Sequence, residues 1–463
     1  MVYLFLASIS ALILWTAAIG GSRWALWVGW AVGIYLCSSG PRTDLPFVGA
    51  LTSQVIVVLM IGLTLLMDSR SGPYPALTVA VCDISVLLTY VSYNITYFNS
   101  GSYSPVYLFS LSLLYPVPYL LGRVYLRSEK DLIYALKPLC VAVSTLVALM
   151  LVQAITSIDL LDVIVRASTL STERRHGFYR ASGVMRHPDG AGLLLLTSFP
   201  LAVAASHLAR FKVGPQWWRW MPWLVALGIV LTNARGAWFG LIVAFTIYQF
   251  FIRTSLRLPI ATLSGIALTV ISLAPQLMMS ILYVIGGDTE DKYGEGGRIL
   301  EINGIDERYT GTDHRWLLYK VYATPLRNAG YFGYGVTDGF GFGRLLEDHL
   351  QTHFWSIDNY YIFLQLQFGV VALILFVLMI ISAVFPLIRY AWVQQDHITG
   401  PVSGASIGSA LGCAVILWSV TLLNDMRVPW MFSMGFSVSL GQLLHHTYSR
   451  NNIAYRSASH TRY

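Results

Sequence analysis

Residues 360–391 read YYIFLQLQFGVVALILFVLMIISAVFPLIRYA, and this stretch decides the fold class. Its one charge is Arg389, close to the carboxyl end. A helix needs about 20 apolar residues to cross a hydrocarbon core of about 30 Å, and this run exceeds that length. Backbone inside a bilayer has no water to satisfy its N–H and C=O groups, so an apolar run of this kind folds as a helix.

The same pattern recurs outward from that stretch, through a 463-residue chain that is 56% hydrophobic and 11% charged, with mean hydropathy +0.61. Upstream, apolar segments run approximately Val2–Gly20, Trp24–Ser38, Phe47–Met67, Tyr74–Phe98, Ser104–Leu121, Leu132–Thr156, Gly190–Leu208, Trp217–Asn233, Gly236–Ile252 and Leu258–Val284. Downstream lie Gly404–Asn424 and Pro429–His446. The expected architecture is all-α: a polytopic integral membrane protein with about 12–13 transmembrane helices, residues 1–463 forming one membrane domain. Only Gly20-Gly21-Ser22-Arg23 separates the first two runs, which leaves the count between those two numbers. No basic residue precedes the first run and further spans follow, so it reads as a retained span and not a cleaved signal peptide. Residues 217–252 as one helix would be about 54 Å long, so two helices meeting near Arg235 are expected.

Short cytoplasmic loops carry an excess of Lys and Arg. Arg123, Arg127 and Lys130 share one connector, Arg210 and Lys212 another, Arg253 and Arg257 a third, Arg389 a fourth, and Arg450, Arg456 and Arg462 lie in the tail. With the spans above, all of these fall on one side. The opposite, extracytoplasmic side receives a smaller loop, 158–189, the Asn233-Ala234-Arg235 turn, and a large loop, 286–357, that carries short helices. The net charge of +7 thus reports cytoplasmic connectors, and no soluble basic domain invites nucleic acid. Cys37, Cys82, Cys140 and Cys413 stand at no metal-ligand spacing and read as packed thiols.

Three arginines sit at ends of apolar segments on that outer side: Arg180, Arg235 and Arg315. A guanidinium keeps its charge and presents a planar fork of donors that matches phosphate oxygens, so an outer-face anion site is expected, with a lipid-linked pyrophosphate the natural anion. Arg186 and His187 are reserve candidates for that anion site. In the large loop, residues 314–322 read as a short amphipathic helix, with Leu318, Val321 and Tyr322 at helical spacing, Trp316 suited to an interface and Arg315 near the helix start. Asp313, His314, Asp338, His349, His353 and Asp358 form a pool of bases, from which Asp358, His353 and His314 are the candidates for catalysis; Asp358 also suits an N-cap. The glycines at 333, 335, 339, 341 and 343 lack the strand–turn–helix context of a nucleotide loop and read as a flexible segment that lets backbone approach a ligand.

Four pieces in order resemble the O-antigen ligase and O-antigen or exopolysaccharide polymerase superfamily of bacterial inner membranes. They are Arg180-Ala181-Ser182-Gly183 with His187-Pro188-Asp189; Leu231-Thr232-Asn233-Ala234-Arg235-Gly236-Ala237; Arg315 leading to Gly333-Tyr334-Gly335; and Asp358-Asn359-Tyr360-Tyr361 with Gly369. The resemblance implies a glycosyltransferase of the inner membrane whose active site faces the periplasm. It would transfer a glycan from an undecaprenyl-pyrophosphate-linked donor to a glycan or lipid-linked acceptor, by polymerisation or ligation. Outer arginines would hold the pyrophosphate and a loop residue would activate the acceptor hydroxyl, with no metal, nucleotide or other cofactor. The chain departs from the family pattern at Asp358, where ligases generally have His, at Ala234, where Ser is usual, and near Gly330, where a proline is common. Two other readings stand beside this one: a flippase or exporter of lipid-linked oligosaccharide, with Asp83 and Lys137 as the visible charges for a pathway, and a non-enzymatic membrane scaffold.

Overall fold

A computed structural model describes residues 2–36, 43–45, 49–51, 53–67, 79–101, 105–126, 128–158, 174–175, 178–185, 187–273, 298–302, 304–309, 314–335, 341–354, 357–393, 398–420 and 424–460. The helices are α1 (Val2–Tyr35), α2 (Ser53–Met67), α3 (Val81–Asn99), α4 (Pro105–Leu114), α5 (Pro116–Tyr125), α6 (Glu129–Thr156), α7 (Pro188–Arg210), α8 (Met221–Leu231), α9 (Arg235–Ile252) and α10 (Thr254–Leu273). Then come α11 (His314–Val321), α12 (Ala323–Asn328), α13 (Asp348–Phe354), α14 (Tyr360–Val393), α15 (Thr399–Ser419) and α16 (Asn424–His460). Strands are confined to three short antiparallel pairs: β1 (Thr43–Leu45) with β2 (Gly49–Leu51), β3 (Arg174–Arg175) with β4 (Phe178–Tyr179), and β5 (Arg298–Ile302) with β6 (Ile305–Tyr309). The protein is an all-α polytopic membrane protein.

Each of the apolar runs carries helix, but their continuity differs from the expectation. Among the described residues, five helices are long and apolar enough to cross a membrane: 130–156, 188–210, 235–252, 360–393 and 399–419. Gly21, at φ 76°, breaks α1 between its two runs. The run Ser104–Leu121 is two helices, because the residue before a proline avoids the helical region and Tyr115, at φ −120° and ψ −78°, precedes Pro116. Within the run from Phe47, residues 49–51 pair with 43–45 and α2 begins at Ser53. Asn233, at φ 48°, separates α8 from α9, so two helices do meet at Arg235. Residues 274–284 of the run Leu258–Val284 lie outside the described residues, as does Cys37; Cys82, Cys140 and Cys413 are buried thiols.

The core is built around α7, where every residue from Pro188 to Ala209 except His207 is buried. Small residues let its neighbours close on one another: Gly240 and Ala244 of α9 face Gly408 and Gly412 of α15, where added β-carbons would run into the opposing backbone. In lipid, where apolar burial gives helices no advantage over solvation by acyl chains, such close van der Waals approach drives association. The outward faces are apolar, with Leu14, Trp15 and Ile19 on α1, Ile242 and Phe245 on α9, and Ile381 and Phe385 on α14 all exposed. A water-facing bundle would not present such a surface.

The two ends of the bundle differ. At one, Arg257 stacks 3.9 Å over Trp392 and donates to the carbonyls of Phe250 and Phe251, while Tyr248 lies within electrostatic reach of both Arg210 and Arg253. This end gathers the basic connectors. Arg123 is an exception to its reading as a loop charge: it is buried within α5, its Nε 2.8 Å from Asp83 Oδ1 and its Nη1 2.8 Å from Gln442 Oε1. Tyr119 also donates to Asp83 at 2.5 Å, so the network clamps α3, α5 and α16 together.

At the other end sits a small second core. Leu300, Ile302, Leu317, Leu318, Val321, Tyr322, Phe342, Leu346, Leu350 and Phe354 pack with Ile362 and Leu366 of α14. The expected amphipathic helix is therefore α11, and its apolar stripe is an interior face. Tyr322 donates to the Phe354 carbonyl at 2.7 Å and Tyr334 to that of Pro325 at 3.0 Å; burial pushes both phenols above the ordinary tyrosine range, keeping them as donors.

Candidate active site

The segment that carries Arg180 is held by its own backbone. Gln153, near the end of α6, accepts from the N–H groups of Ser182 and Gly183 at 3.1 and 3.0 Å. Ala181 N–H donates to the Leu231 carbonyl at 3.1 Å. These bonds fix Arg180 beside the junction of α8 and α9, the junction from which Arg235 projects.

Asp189 lies beside Arg180 and the start of α9. Its Oδ2 is 3.6 Å from Arg180 Nη2, and both side chains are buried. His187 Nδ1 is 3.2 Å from the same oxygen and 3.3 Å from Asp189 N–H, where it caps α7. One nitrogen cannot accept from the backbone and donate to the carboxylate together, so His187 serves one partner at a time. On its other side Asp189 borders α9: a β-carbon at Gly236 would come within 3.3 Å of Asp189 Oδ1 and would overlap Ser419. Arg235, the first residue of α9, is partly exposed. Ala234 provides no side-chain cap, so the first-turn N–H groups of α9 keep their affinity for an anion.

Residues of the large loop reach the same place through Tyr319. Its hydroxyl oxygen accepts from Trp418 Nε1 and from Asn359 Nδ2, each at 3.1 Å. Trp418 precedes the Ser419 that faces Gly236, and Tyr319 follows Arg315 by one helical turn, on the same face of α11. The side chains of Arg315 and His314 lie outside the described residues, but their helix is thereby tied to the start of α9. Arg186, Asp313 and Asp338 also lie outside the described residues.

Asn359, not Asp358, caps α14: its Oδ1 accepts from Tyr361 and Ile362 N–H at 3.0 and 3.2 Å. Asp358 therefore does not fill the cap role expected of it, and it is partly exposed. His353, in the last turn of α13, is partly exposed as well. His349 is engaged elsewhere, 2.9 Å from the Glu301 carbonyl of the β5–β6 hairpin.

The glycines of the large loop require a correction. Gly333 and Gly335 approach protein, not a ligand: Tyr334 and Gly335 N–H donate to the carbonyls of Leu366 and Gln367 at 2.8 and 2.9 Å. Val370 N–H returns the contact to Gly330 at 3.2 Å. The crossing occurs where α14 breaks at Gly369, φ 82°. Gly341 and Gly343 belong to a 3₁₀ turn, Gly341–Leu345, and Gly339 lies outside the described residues.

Residues 220–377 match the family model of the O-antigen ligases. The matched stretch, from the start of α8 into α14, is similar to the O-antigen ligases. No curated protein matches the chain. The matched stretch takes in Arg235, Arg315, Asp358 and the Gly333–Gly369 crossing, while Arg180 and His187 precede it in sequence and join it in space. This similarity indicates a function of the O-antigen ligase or polymerase type in a membrane setting. Gln153, Tyr319, Trp418 and Ser419, which bring the arginine segments together, escape sequence reasoning. Only Gln153, a polar residue in an apolar run, leaves a signal there.

Proposed function

We propose that this protein is a metal-independent glycosyltransferase of the bacterial inner membrane. It moves a glycan from undecaprenyl pyrophosphate to a sugar hydroxyl, as a polymerase or ligase, at the face remote from the basic connectors, which is the periplasmic face. The observation that carries this reading is the convergence of the Arg180 segment, Asp189 and the start of α9 on one point. Arg180 and Arg235 bind the diphosphate from two sides. Arg180 is oriented by Asp189, and Arg235, more exposed, meets the donor first. Arg315 joins them from α11, with Arg186 and His187 at the rim.

In the transfer step the acceptor oxygen bonds to the anomeric carbon as the bond from that carbon to the pyrophosphate oxygen breaks. The bonding pair leaves on the diphosphate, whose growing charge the guanidiniums neutralise. The hydroxyl proton passes to a carboxylate or imidazole in the large loop, Asp358 first, with His353 and His314 behind it. Asp358→Asn should bind donor normally and turn over about a hundredfold more slowly, the usual scale for losing a positioned base. Single-turnover assays on purified protein check this, and undiminished turnover would transfer the role to one of the histidines.

The face itself is tested by single cysteines at positions 235 and 315 in a background with Cys37, Cys82, Cys140 and Cys413 replaced. Both should react with a membrane-impermeant maleimide from the periplasmic side, and protection of both would reverse the orientation. Purified protein given a lipid-pyrophosphate oligosaccharide should yield a product ladder if it polymerises, or one shifted product on a second acceptor if it ligates. No product with any acceptor would sink the transferase reading. The transport alternative loses ground because Asp83 is closed by Arg123 and Tyr119, and Lys137 points outward from α6.

A further inference from the structure

The direction of the bonds around Tyr319 is fixed by the chemistry of its partners, and it leaves one hydrogen over. Asn359 cannot be turned end for end, because its Oδ1 accepts from Tyr361 and Ile362 N–H at the start of α14. Its amide nitrogen therefore faces Tyr319, and that nitrogen only donates. Trp418 Nε1, the other partner of the Tyr319 oxygen, is likewise a donor alone. Both bonds are 3.1 Å long, so the lone pairs of the phenol oxygen are occupied and its own hydrogen is left to be given elsewhere. No described residue accepts it.

The group is placed for a substrate. Tyr319 is 40% exposed and Trp418 42%, whereas Asn359 and Ala234 nearby are buried. Tyr319 stands one turn after Arg315 on α11, and Trp418 precedes Ser419, which faces Gly236 next to Arg235. The hydroxyl thus joins the segments that carry two of the cations assigned to the diphosphate. A hydroxyl whose oxygen is held by two donors, with its hydrogen unclaimed, has the preorganised form that stabilises a developing oxyanion.

We propose that the Tyr319 hydroxyl donates to an oxygen of the donor's diphosphate, a neutral contact added to those of the guanidiniums, and one that strengthens as the bond from sugar to phosphate breaks. Tyr319 keeps its proton throughout, since the leaving electron pair is stabilised by the hydrogen bond and not by proton transfer. Asn359 and Trp418 are positioning residues: they hold the oxygen and, being donors, give the hydrogen no reason to turn toward the protein. This inference rests on the transferase reading above.

The test uses the purified full-length chain in detergent, with glycan-free undecaprenyl pyrophosphate as the binding probe, a lipid-pyrophosphate oligosaccharide as the substrate, and thermal denaturation to follow folding. Tyr319→Phe keeps the ring and removes the hydroxyl. It should bind the probe about tenfold more weakly, the scale of one hydrogen bond to a charged group. Transfer at saturating substrate should fall about a hundredfold, with the KM for acceptor unchanged. Wild-type affinity for the probe in a folded Tyr319→Phe would overturn the assignment, and so would a loss confined to the acceptor KM, which would move the hydroxyl to the acceptor sugar. Trp418→Phe leaves the hydroxyl in place and removes one donor that holds it. Its probe affinity should fall about threefold, the scale of one neutral hydrogen bond, again without change in the acceptor KM. Unaltered affinity there would refute the positioning by Trp418 and, should Tyr319→Phe not fold, the whole proposal. A wild type that neither binds the probe nor transfers glycan would instead end the transferase reading before Tyr319 is at issue.

Discussion

Replacing Arg235 by lysine should lower glycan transfer by about a hundredfold or more, the range seen when a donor aimed at a developing anion is removed. The substitution keeps the positive charge at the start of α9 and removes the planar fork, so it separates bidentate recognition from simple attraction. Folding should survive it. Arg235 is partly exposed, and the tight contact that sets α9 against α15 is made by the neighbouring Gly236 and Ser419. Arg180→Lys is a less clean experiment, because Arg180 is buried against Asp189 and a misplaced ammonium there would leave that carboxylate poorly matched. The measurement is transfer by purified Arg235→Lys at saturating acceptor, beside its level in membranes. Full transfer at normal level would mean that the diphosphate is not held by a fork at this position.

Much of the fold was legible because apolar runs of spanning length admit so few structures. The division of residues 217–252 followed from length alone, and the structure places a left-handed residue, Asn233, at that joint. The break at Tyr115 was equally written in Pro116, but an uninterrupted apolar composition conceals it. β1 and β2 were illegible for the reverse reason: Phe47–Leu51 is apolar enough to extend the next span, and pairing with residues 43–45 overrides that tendency.

The site was legible in part. Arginines at segment ends announce themselves, since charge is rare in such a chain. Their positioning does not: the Ala181–Leu231 bond joins residues far apart in sequence, and nothing in either neighbourhood predicts the other. Asp358 and Asn359 show how narrow the margin can be. Both are good N-cap residues, and only the geometry assigns the cap to Asn359. The glycines near 333 misled because glycine permits both mobility and close packing, and composition cannot separate the two.

Gly369→Ala tests that packing and should cost about 3 kcal/mol or more, combining backbone strain of about 1–3 kcal/mol with a steric clash. At φ 82° and ψ 178°, residue 369 occupies a region open to glycine almost alone. A β-carbon would also overlap the Tyr331 carbonyl, which belongs to the segment that crosses here. Relief requires moving one strand of the crossing. That would break the bonds of Tyr334 to Leu366 and Gly335 to Gln367, and disturb Phe368, stacked 3.9 Å from Tyr93. Because the start of α14 presents Asp358 and Asn359, the same movement displaces the candidate base, and transfer should fall together with stability. Gly62→Ala provides the control. Gly62 lies within α2, with nothing inside 4 Å of an added β-carbon, so that change should leave stability unaltered or raise it slightly through helix propensity. Thermal denaturation of both variants in detergent, with transfer measured on the folded fraction, decides the matter. Equal stability for the two would show that the crossing can open without consequence, and the large loop would then be anchored to α14 by its apolar core alone.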